Sequence, residues 1–291
     1  MEKQMVSLMR RNRTIIQTLV GAAVITGGMV TLTPSAWATS IPVACSENAL
    51  VAAVDLANST AAKDTLTLAS GCTYRMTSSH DGLANALPLI TTPIEMIGPA
   101  TITRSSLLPF RIAEVGPTGD LTLTTAVSLT NGSAVGNGGA ILNRGAVTLT
   151  GSSLSGNTAT LNGGGLANAD TPSGTAPAAT FTRSSVTGNS ALVSGGGIYN
   201  GRRGTLTTTG VSGSPMSITG NTAAIRGGGI IAANSTATTL TQTAVTANNA
   251  VLNAGGVYRE GGTMTTTSSP ISANTLNNCV GSAPAVPNCT A

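Results

Sequence analysis

Leu154-Ser155-Gly156-Asn157 is followed, six residues after the Asn, by Gly163-Gly164-Gly165-Leu166. The same step, an apolar residue, two variable residues and Asn, returns four more times and ends at Asn189, Asn221, Asn248 and Asn274. A glycine pair follows at a similar offset in three of these four copies, and the five Asn positions are 32, 32, 27 and 26 residues apart. A sequence period of this size indicates a solenoid, in which each repeat packs against its neighbours.

Short alternations of polar and apolar residues within each repeat indicate the type of solenoid. Examples are residues 147–150, 180–182 and 239–241. This period of two predicts β-strands, and the Gly, Asn and Ser residues between them predict turns. No repeat contains the ten or more helix-periodic residues that an α-solenoid needs. We therefore predict an all-β fold, a single-stranded right-handed parallel β-helix with three short strands per coil of about 25 residues.

The Asn residues that define the period are predicted to have a structural role. In a stacked solenoid they would lie above one another and form a hydrogen-bonded side-chain ladder inside a turn. The predicted ladder consists of Asn157, Asn189, Asn221, Asn248 and Asn274. An earlier copy of the step has Gly132 at the corresponding position. No ligand is assigned to these residues.

The chain is predicted to have four parts. Residues 1–38 combine a basic start, an apolar stretch and the small-x-small site Ala36-Trp37-Ala38, which together indicate a signal peptide. Residues 39–120 are predicted to form an N-terminal cap and irregular first coils, residues 121–278 the regular repeats, and residues 279–291 a C-terminal tail. No transmembrane segment is expected after removal of the leader, so we predict a secreted or cell-surface protein.

The charge of the chain is concentrated in the predicted leader. The whole chain has a net charge of +4, whereas residues 39–291 contain ten Lys and Arg against nine Asp and Glu, a net charge of +1. No basic run is interleaved with aromatic residues in the way that nucleic-acid binding requires. We therefore predict no nucleic-acid partner.

Four cysteines, Cys45, Cys72, Cys279 and Cys289, lie outside the repeats, one pair at each end. Export makes disulfides the default state. Of the three connectivities we favour the local pairs, Cys45 with Cys72 and Cys279 with Cys289, which would hold the ends of the solenoid. Zinc is the poorer alternative, because the spacings do not fit a zinc site and His80 is the only histidine.

Residues 46–58 predict a short amphipathic helix that closes the N-terminal end of the solenoid. Ser46 is a suitable N-cap, and Leu50, Val54 and Ala57 would lie on one helical face.

The carboxylates are too scattered to predict a catalytic centre. A glycoside hydrolase needs a close carboxylate pair, and a calcium-dependent lyase needs several acidic oxygens. Between residues 121 and 262 the only carboxylates are Asp170 and Glu260, which would lie roughly three coils apart at about 4.8 Å per coil. His80-Asp81 is the only neighbouring acid–base pair, and its Ser- and Gly-containing context favours a solvated turn. We therefore predict a non-catalytic protein without a cofactor or a metal.

Two insertions, residues 169–179 and 208–215, lengthen the coils. We interpret them as tolerated surface loops, although long loops on one side of a solenoid often carry function. The turn arginines are interpreted as solvated charge, and the alternative is a weak cationic face for acidic glycans; they are Arg144, Arg183, Arg202, Arg203, Arg226 and Arg259.

The repeated step, with its glycine pair and following apolar residue, resembles the repeat of the polymorphic outer-membrane proteins, a group of right-handed β-helix surface proteins. The first position is Leu, Val or Ile here, where that group has an aromatic residue. The segments 45–58, 64–66 and 71–74 resemble the N-terminal region of exported bacterial β-helix proteins. These resemblances imply a surface-exposed β-helix. Members of the outer-membrane group are often autotransporter adhesins.

The function that we expect is that of an exported, non-catalytic module that binds carbohydrate or cell-envelope material. One alternative is a polysaccharide-active lyase or hydrolase. Another is an ice-binding protein, because each of six units contains one Thr-apolar-Thr strand whose Thr residues would point outward and stack in two rows. The predicted rows contain Thr122, Thr124, Thr148, Thr150, Thr180, Thr182, Thr205, Thr207, Thr239, Thr241, Thr263 and Thr265.

Overall fold

Residues 38–80, 84–169 and 174–290 are described by the computed structural model, and their strands stack into four parallel sheets. Each regular coil contributes one strand to each of the four sheets in turn before the chain enters the next coil, and in this order we call them sheets I to IV. This confirms an all-β parallel β-helix with one short helix, and its handedness stays a prediction. Apart from Ala38, the predicted leader lies outside the described residues.

Two of the sheets contain the longer strands. Sheet I consists of Ser40–Val43, Asp64–Leu68, Pro93–Ile97, Asp120–Thr124, Ala146–Thr150, Ala178–Thr182, Thr205–Thr209, Ala237–Thr241 and Thr263–Thr267. Sheet II consists of Cys72–Met76, Ala100–Arg104, Val127–Thr130, Ser153–Ser155, Ser185–Thr187, Met216–Thr219, Thr243–Thr246 and Ile271–Ser272.

The other two sheets are built from strands of two or three residues. Sheet III consists of Ser133–Ala134, Thr158–Ala159, Ser190–Ala191, Thr222–Ala223 and Asn249–Ala250. Sheet IV consists of Ala113–Val115, Ile141–Asn143, Leu166–Asn168, Ile198–Asn200, Ile230–Ala232 and Val257–Arg259. A regular coil therefore has four strands, and the prediction of three was wrong because the two residues after each ladder Asn also pair between coils.

The interior of the β-helix is filled by the inward positions of each strand. Val147 and Leu149 of sheet I, Leu154 of sheet II and Leu166 of sheet IV are all buried. Sheet III has alanine at its inward position in every coil, at Ala134, Ala159, Ala191, Ala223 and Ala250. A small side chain fits there because the chain bends tightly between sheets II and IV.

The glycine pairs lie where the backbones of successive coils approach each other most closely. A Cβ atom on Gly164 would lie 2.4 Å from the carbonyl oxygens of both Gly196 and Ser190. Only glycine fits at that distance. Gly163, immediately before it, has a φ of +69°, which also favours glycine. The repeated glycines are thus explained by close packing of the main chain.

Both ends of the β-helix are covered. Helix α1, Glu47–Asn58, begins after Ser46, whose Oγ accepts a hydrogen bond from the Ala49 N–H at 3.2 Å, and it buries Leu50, Ala53, Val54 and Ala57. At the other end Val286 of the C-terminal tail is buried, and the Thr266 hydroxyl donates to the Pro287 carbonyl oxygen at 2.7 Å. The structure contains both local disulfides, Cys45–Cys72 and Cys279–Cys289.

Candidate functional site

The outward face of sheet I carries two continuous rows of threonine. The first row aligns Thr122, Thr148, Thr180, Thr207, Thr239 and Thr265. The second row aligns Thr124, Thr150, Thr182, Thr209, Thr241 and Thr267. Together we call these two rows the threonine face.

The register of the threonine face differs from the prediction in two coils. Thr205 pairs with Ala178, and Thr263 pairs with Ala237, so both lie one outward position before the two rows. Thr209 and Thr267 complete the second row instead. The inward position between the rows is then taken by Thr208 and Thr266, which are buried opposite Phe181 and Leu240. The buried Thr208 hydroxyl is satisfied by the Thr243 hydroxyl at 2.8 Å.

Most hydroxyls of the threonine face have no hydrogen-bond partner in the described chain, although Thr122 at its start is buried. Among the described residues, Thr124 is the one member whose hydroxyl has a hydrogen-bond partner, the carboxylate of Glu95 at 3.4 Å. The third outward column of sheet I contains Ala146, Ala178, Thr205, Ala237 and Thr263, preceded by Asp120. The threonine face is therefore a surface of repeated hydroxyl and methyl groups, with the Glu95 carboxylate at its N-terminal edge.

Sheet II has a second hydroxyl-bearing face that the sequence analysis did not identify. Ser128, Ser153, Ser185 and Ser217 form one outward column. A parallel column contains Thr130, Ser155, Thr187, Thr219 and Thr246. Several of these hydroxyls pair with each other, as in Ser128 with Ser153 at 2.7 Å and Thr219 with Thr246 at 2.8 Å. The sequence signal was the Ser or Thr on each side of the repeated apolar residues Leu129, Leu154, Val186 and Ile218.

A groove of about 400 Å³ lies at the corner between sheets I and II. We call it the corner groove. Its lining residues are Ala126, Ser128, Gly151, Ser152, Ser153, Arg183, Ser184, Ser185, Pro215 and Ser217. One of the predicted insertions contributes to it, because Pro215 ends the segment between the strands Thr205–Thr209 and Met216–Thr219. That insertion is 210–215, shorter than predicted, since Thr208 and Thr209 belong to the sheet I strand.

The five predicted ladder asparagines stack in a turn after sheet II. The amide Nδ2 of each donates to Oδ1 of the Asn in the next coil, at 2.9 Å for Asn157 to Asn189, Asn189 to Asn221 and Asn221 to Asn248, and at 3.0 Å for Asn248 to Asn274. The chain of bonds continues to Asn278 at 3.1 Å and begins at the Gly132 N–H, which donates to Asn157 at 2.8 Å. These side chains bind one another and the main chain.

A second asparagine ladder was missed. Asn143 donates to Asn168 at 2.7 Å, Asn168 donates to Asn200 at 2.9 Å, and Asn200 donates to the Thr238 hydroxyl at 2.9 Å. The three Asn side chains are fully buried at the end of sheet IV strands. Each comes two residues after the apolar residue that follows the glycines, and this spacing could have predicted the ladder.

The described carboxylates mostly have partners near them. Glu95 forms an ion pair with Lys63 at 3.2 Å, Glu260 with Arg226 at 3.4 Å, and Asp64 accepts from the Thr39 N–H at 2.7 Å. His80 Nε2 lies 3.9 Å from an Asp55 carboxylate oxygen. Asp81 and Asp170, both named in the sequence analysis, lie outside the described residues.

A cluster of paired charges surrounds the sheet IV strand Ala113–Val115. Glu114 binds the guanidinium of Arg111 at 3.1 Å and that of Arg144, while Arg111 also donates to Asn85 Oδ1 at 2.6 Å. Burial lowers the pKa of Arg111, and Arg144 lowers it further, whereas Glu114 raises it. An arginine remains charged despite such a shift, so this cluster is a paired structural network.

No family model matches the chain, and no curated protein matches it. Among the described residues no helix is long and apolar enough to cross a membrane.

Proposed function

We propose that the protein is an exported, non-catalytic β-helix that binds a polysaccharide or another polymer of the cell envelope on its threonine face. The observation that carries this proposal is the pair of unbroken rows, six Thr each, whose hydroxyls have almost no partners within the described chain. A hydroxyl both donates and accepts hydrogen bonds, as a sugar hydroxyl does.

The geometry favours an extended polymer over a small molecule. Stacked strands repeat about every 4.8 Å, so the two rows offer the same groups along the length of the β-helix and not one concave site for a small molecule. One weak contact per coil, repeated over six coils, gives useful binding through multivalency. The methyl groups of the same Thr residues offer apolar contact to the carbon-bound hydrogens of a sugar ring.

Further observations support an extracellular location and a non-catalytic role. Two disulfides are compatible with an extracellular protein, as is the leader-like start of the sequence. The resemblance of the repeat to the polymorphic outer-membrane proteins points to the cell surface. Glu95, Glu260 and Asp64 are held by Lys63, Arg226 and a backbone N–H, which leaves them poorly suited to act as an acid–base pair.

A glycan array probed with the mature protein tests the proposal, together with co-sedimentation on insoluble polysaccharides. Binding to at least one glycan class is expected, with no release of reducing sugar or unsaturated product from the bound glycans. Release of either product would replace the proposal with the lyase or hydrolase alternative. Absence of binding to every glycan and envelope preparation would reject it.

Ice binding is the second candidate, and the in-register rows are the observation that favours it. A regular lattice of Thr hydroxyl and methyl groups can order water as well as it can contact a sugar. Thermal hysteresis and inhibition of ice recrystallisation by the mature protein would support this candidate. Absence of both activities would leave the threonine face as a polymer-docking surface.

A further inference from the structure

We propose that the corner groove is a subsite for a carboxylate or sulfate group carried on a glycan, with Arg183 as its anion-binding residue. This inference rests on the proposed glycan-binding function and names the chemical class of the ligand.

The groove exists because successive coils differ at the corner between sheets I and II. Gly151, Arg183, Gln242 and Ser268 occupy equivalent positions, each directly after a sheet I strand and each with a positive φ. Gly151 has no side chain, and a Cβ atom there would meet open space. On the other side of Arg183, residues 210–215 form a small turn closed by the bridge between Val211 and Ser214. Arg183 therefore lies between the open space beside Gly151 and the turn formed by residues 210–215.

The guanidinium of Arg183 is exposed and has no ion pair or hydrogen bond to the described chain. In this it differs from Arg111, Arg144 and Arg226, which pair with Glu114 or Glu260. Its positive φ, +48°, is shared by Gln242 and Ser268 at the equivalent corner, so the positive φ belongs to this turn and only the side chain is particular to Arg183. No acidic side chain lines the groove, so an anion would meet no repulsion there.

The other polar groups of the groove suit a sugar. Ser185 and Ser217 are partly exposed, and their hydroxyls have no partner in the described chain. Arg183 can bind a carboxylate or sulfate with two parallel N–H groups. Thr182 of the threonine face directly precedes Arg183, so a polymer lying on that face passes the mouth of the groove. We infer that acidic glycans bind more tightly than neutral ones.

The test compares three soluble polymers by calorimetry: hyaluronate, which carries carboxylates, dextran sulfate, and dextran as the uncharged reference. Two variants address the groove. Arg183→Gln removes the charge, and Gly151→Gln fills the open space. The fold already accepts Gln at this corner with positive φ, at Gln242. Arg203→Gln is the matched control, because Arg203 is also exposed and also has a positive φ of 61°.

We expect wild type and Arg203→Gln to have the same affinity for at least one acidic polymer, hyaluronate or dextran sulfate. Both proteins should bind that polymer more tightly than dextran. Arg183→Gln and Gly151→Gln should bind the acidic polymer about tenfold more weakly, the loss of one charge-assisted contact. The polymer that shows the larger loss identifies carboxylate or sulfate as the group bound.

Equal losses in the Arg183 and Arg203 variants would show diffuse charge attraction and overturn the subsite. Unchanged binding in Arg183→Gln, or no preference of wild type for an acidic polymer, would also overturn it. Glycan binding that is lost in a threonine-face variant but kept in Arg183→Gln would leave the proposed function intact.

Discussion

Asn189 and Asn221 are joined by two hydrogen bonds to a single oxygen atom. The Asn221 Oδ1 accepts from the side-chain Nδ2 of Asn189 at 2.9 Å and from its backbone N–H at 3.0 Å. The Nδ2 of Asn221 in turn donates to the Val186 carbonyl oxygen at 2.9 Å. Because Nδ2 also donates to Asn248 Oδ1 at 2.9 Å, one fully buried side chain satisfies polar groups of the coils on both sides of it.

Replacing Asn221 by Ala should destabilise the fold by about 1–3 kcal/mol, because buried donors and acceptors would lose their partner. Chemical denaturation of wild type and variant measures this difference. Asn249→Ala is the matched control, since Asn249 is partly exposed and its side chain has no hydrogen bond in the described chain. Comparable losses in both variants would contradict the role of the ladder.

Gly164→Ala should be far more damaging than Gly188→Ala. A methyl group on Gly164 would meet two carbonyl oxygens at 2.4 Å, and overpacking of this kind costs about 1–3 kcal/mol or more. Gly188 has a φ of +63° but open space around its Cβ position. Ala247 and Ala273 adopt the same conformation in later coils, so alanine is tolerated there. Thermal melting of both variants measures the difference. A larger loss of stability in Gly188→Ala than in Gly164→Ala would refute the close-packing explanation.

The acid stability of the N-terminal cap should depend on Glu47. Burial raises the pKa of its carboxyl, but hydrogen bonds from the side chains and backbones of Thr77 and Ser78 outweigh this, and the net pKa is below the ordinary 4.5. A carboxyl with a lowered pKa stabilises the fold above its unfolded-state pKa, and this contribution is lost as the pH falls below about 4.5. Melting temperatures from pH 7 to pH 3 should therefore fall more steeply for wild type than for Glu47→Gln. Parallel curves would show that these contacts contribute nothing.

Ligand binding to the threonine face should be lost when one row is interrupted. Thr182→Tyr places a bulky ring in the middle of the second row, so a flat polymer or an ice lattice can no longer contact successive coils. Thr187→Tyr makes the same change in the same coil but on the outward face of sheet II. Only the first variant should lose glycan co-sedimentation or thermal hysteresis, and both should melt close to wild type. Equal losses would place the binding surface elsewhere.

The fold could be predicted from the sequence because the repeated Asn and Gly residues have one physical role each. Asn189 binds the Asn of the next coil, and Gly164 leaves room for the main chain of the next coil. The spacing of these residues along the sequence is therefore the length of one coil. The N-cap at Ser46 and the apolar face of helix α1 are local features in the same way.

The threonine register could not be read from the sequence, because residues 205–209 contain two overlapping Thr-x-Thr frames. Alternation places Thr205, Thr207 and Thr209 all outward, so either frame fits a strand. Which two of them continue the rows depends on pairing with Thr180 and Thr182 in the preceding coil. The buried Thr208 is tolerated through its bond to Thr243, a partner 35 residues away. The corner groove depends likewise on how residues 210–215 turn, for which the sequence has no repeat.

The asparagine ladder allows the number of coils in the β-helix to change. Every ladder Asn presents the same acceptor to the coil before it and the same donor to the coil after it, so Asn157 could meet Asn221 as well as it meets Asn189. Gain or loss of a whole 32-residue unit would leave each ladder Asn with a partner on both sides. Unequal crossing-over between repeats could therefore lengthen or shorten the binding surface in a single event, while the two disulfide-held ends are kept unchanged.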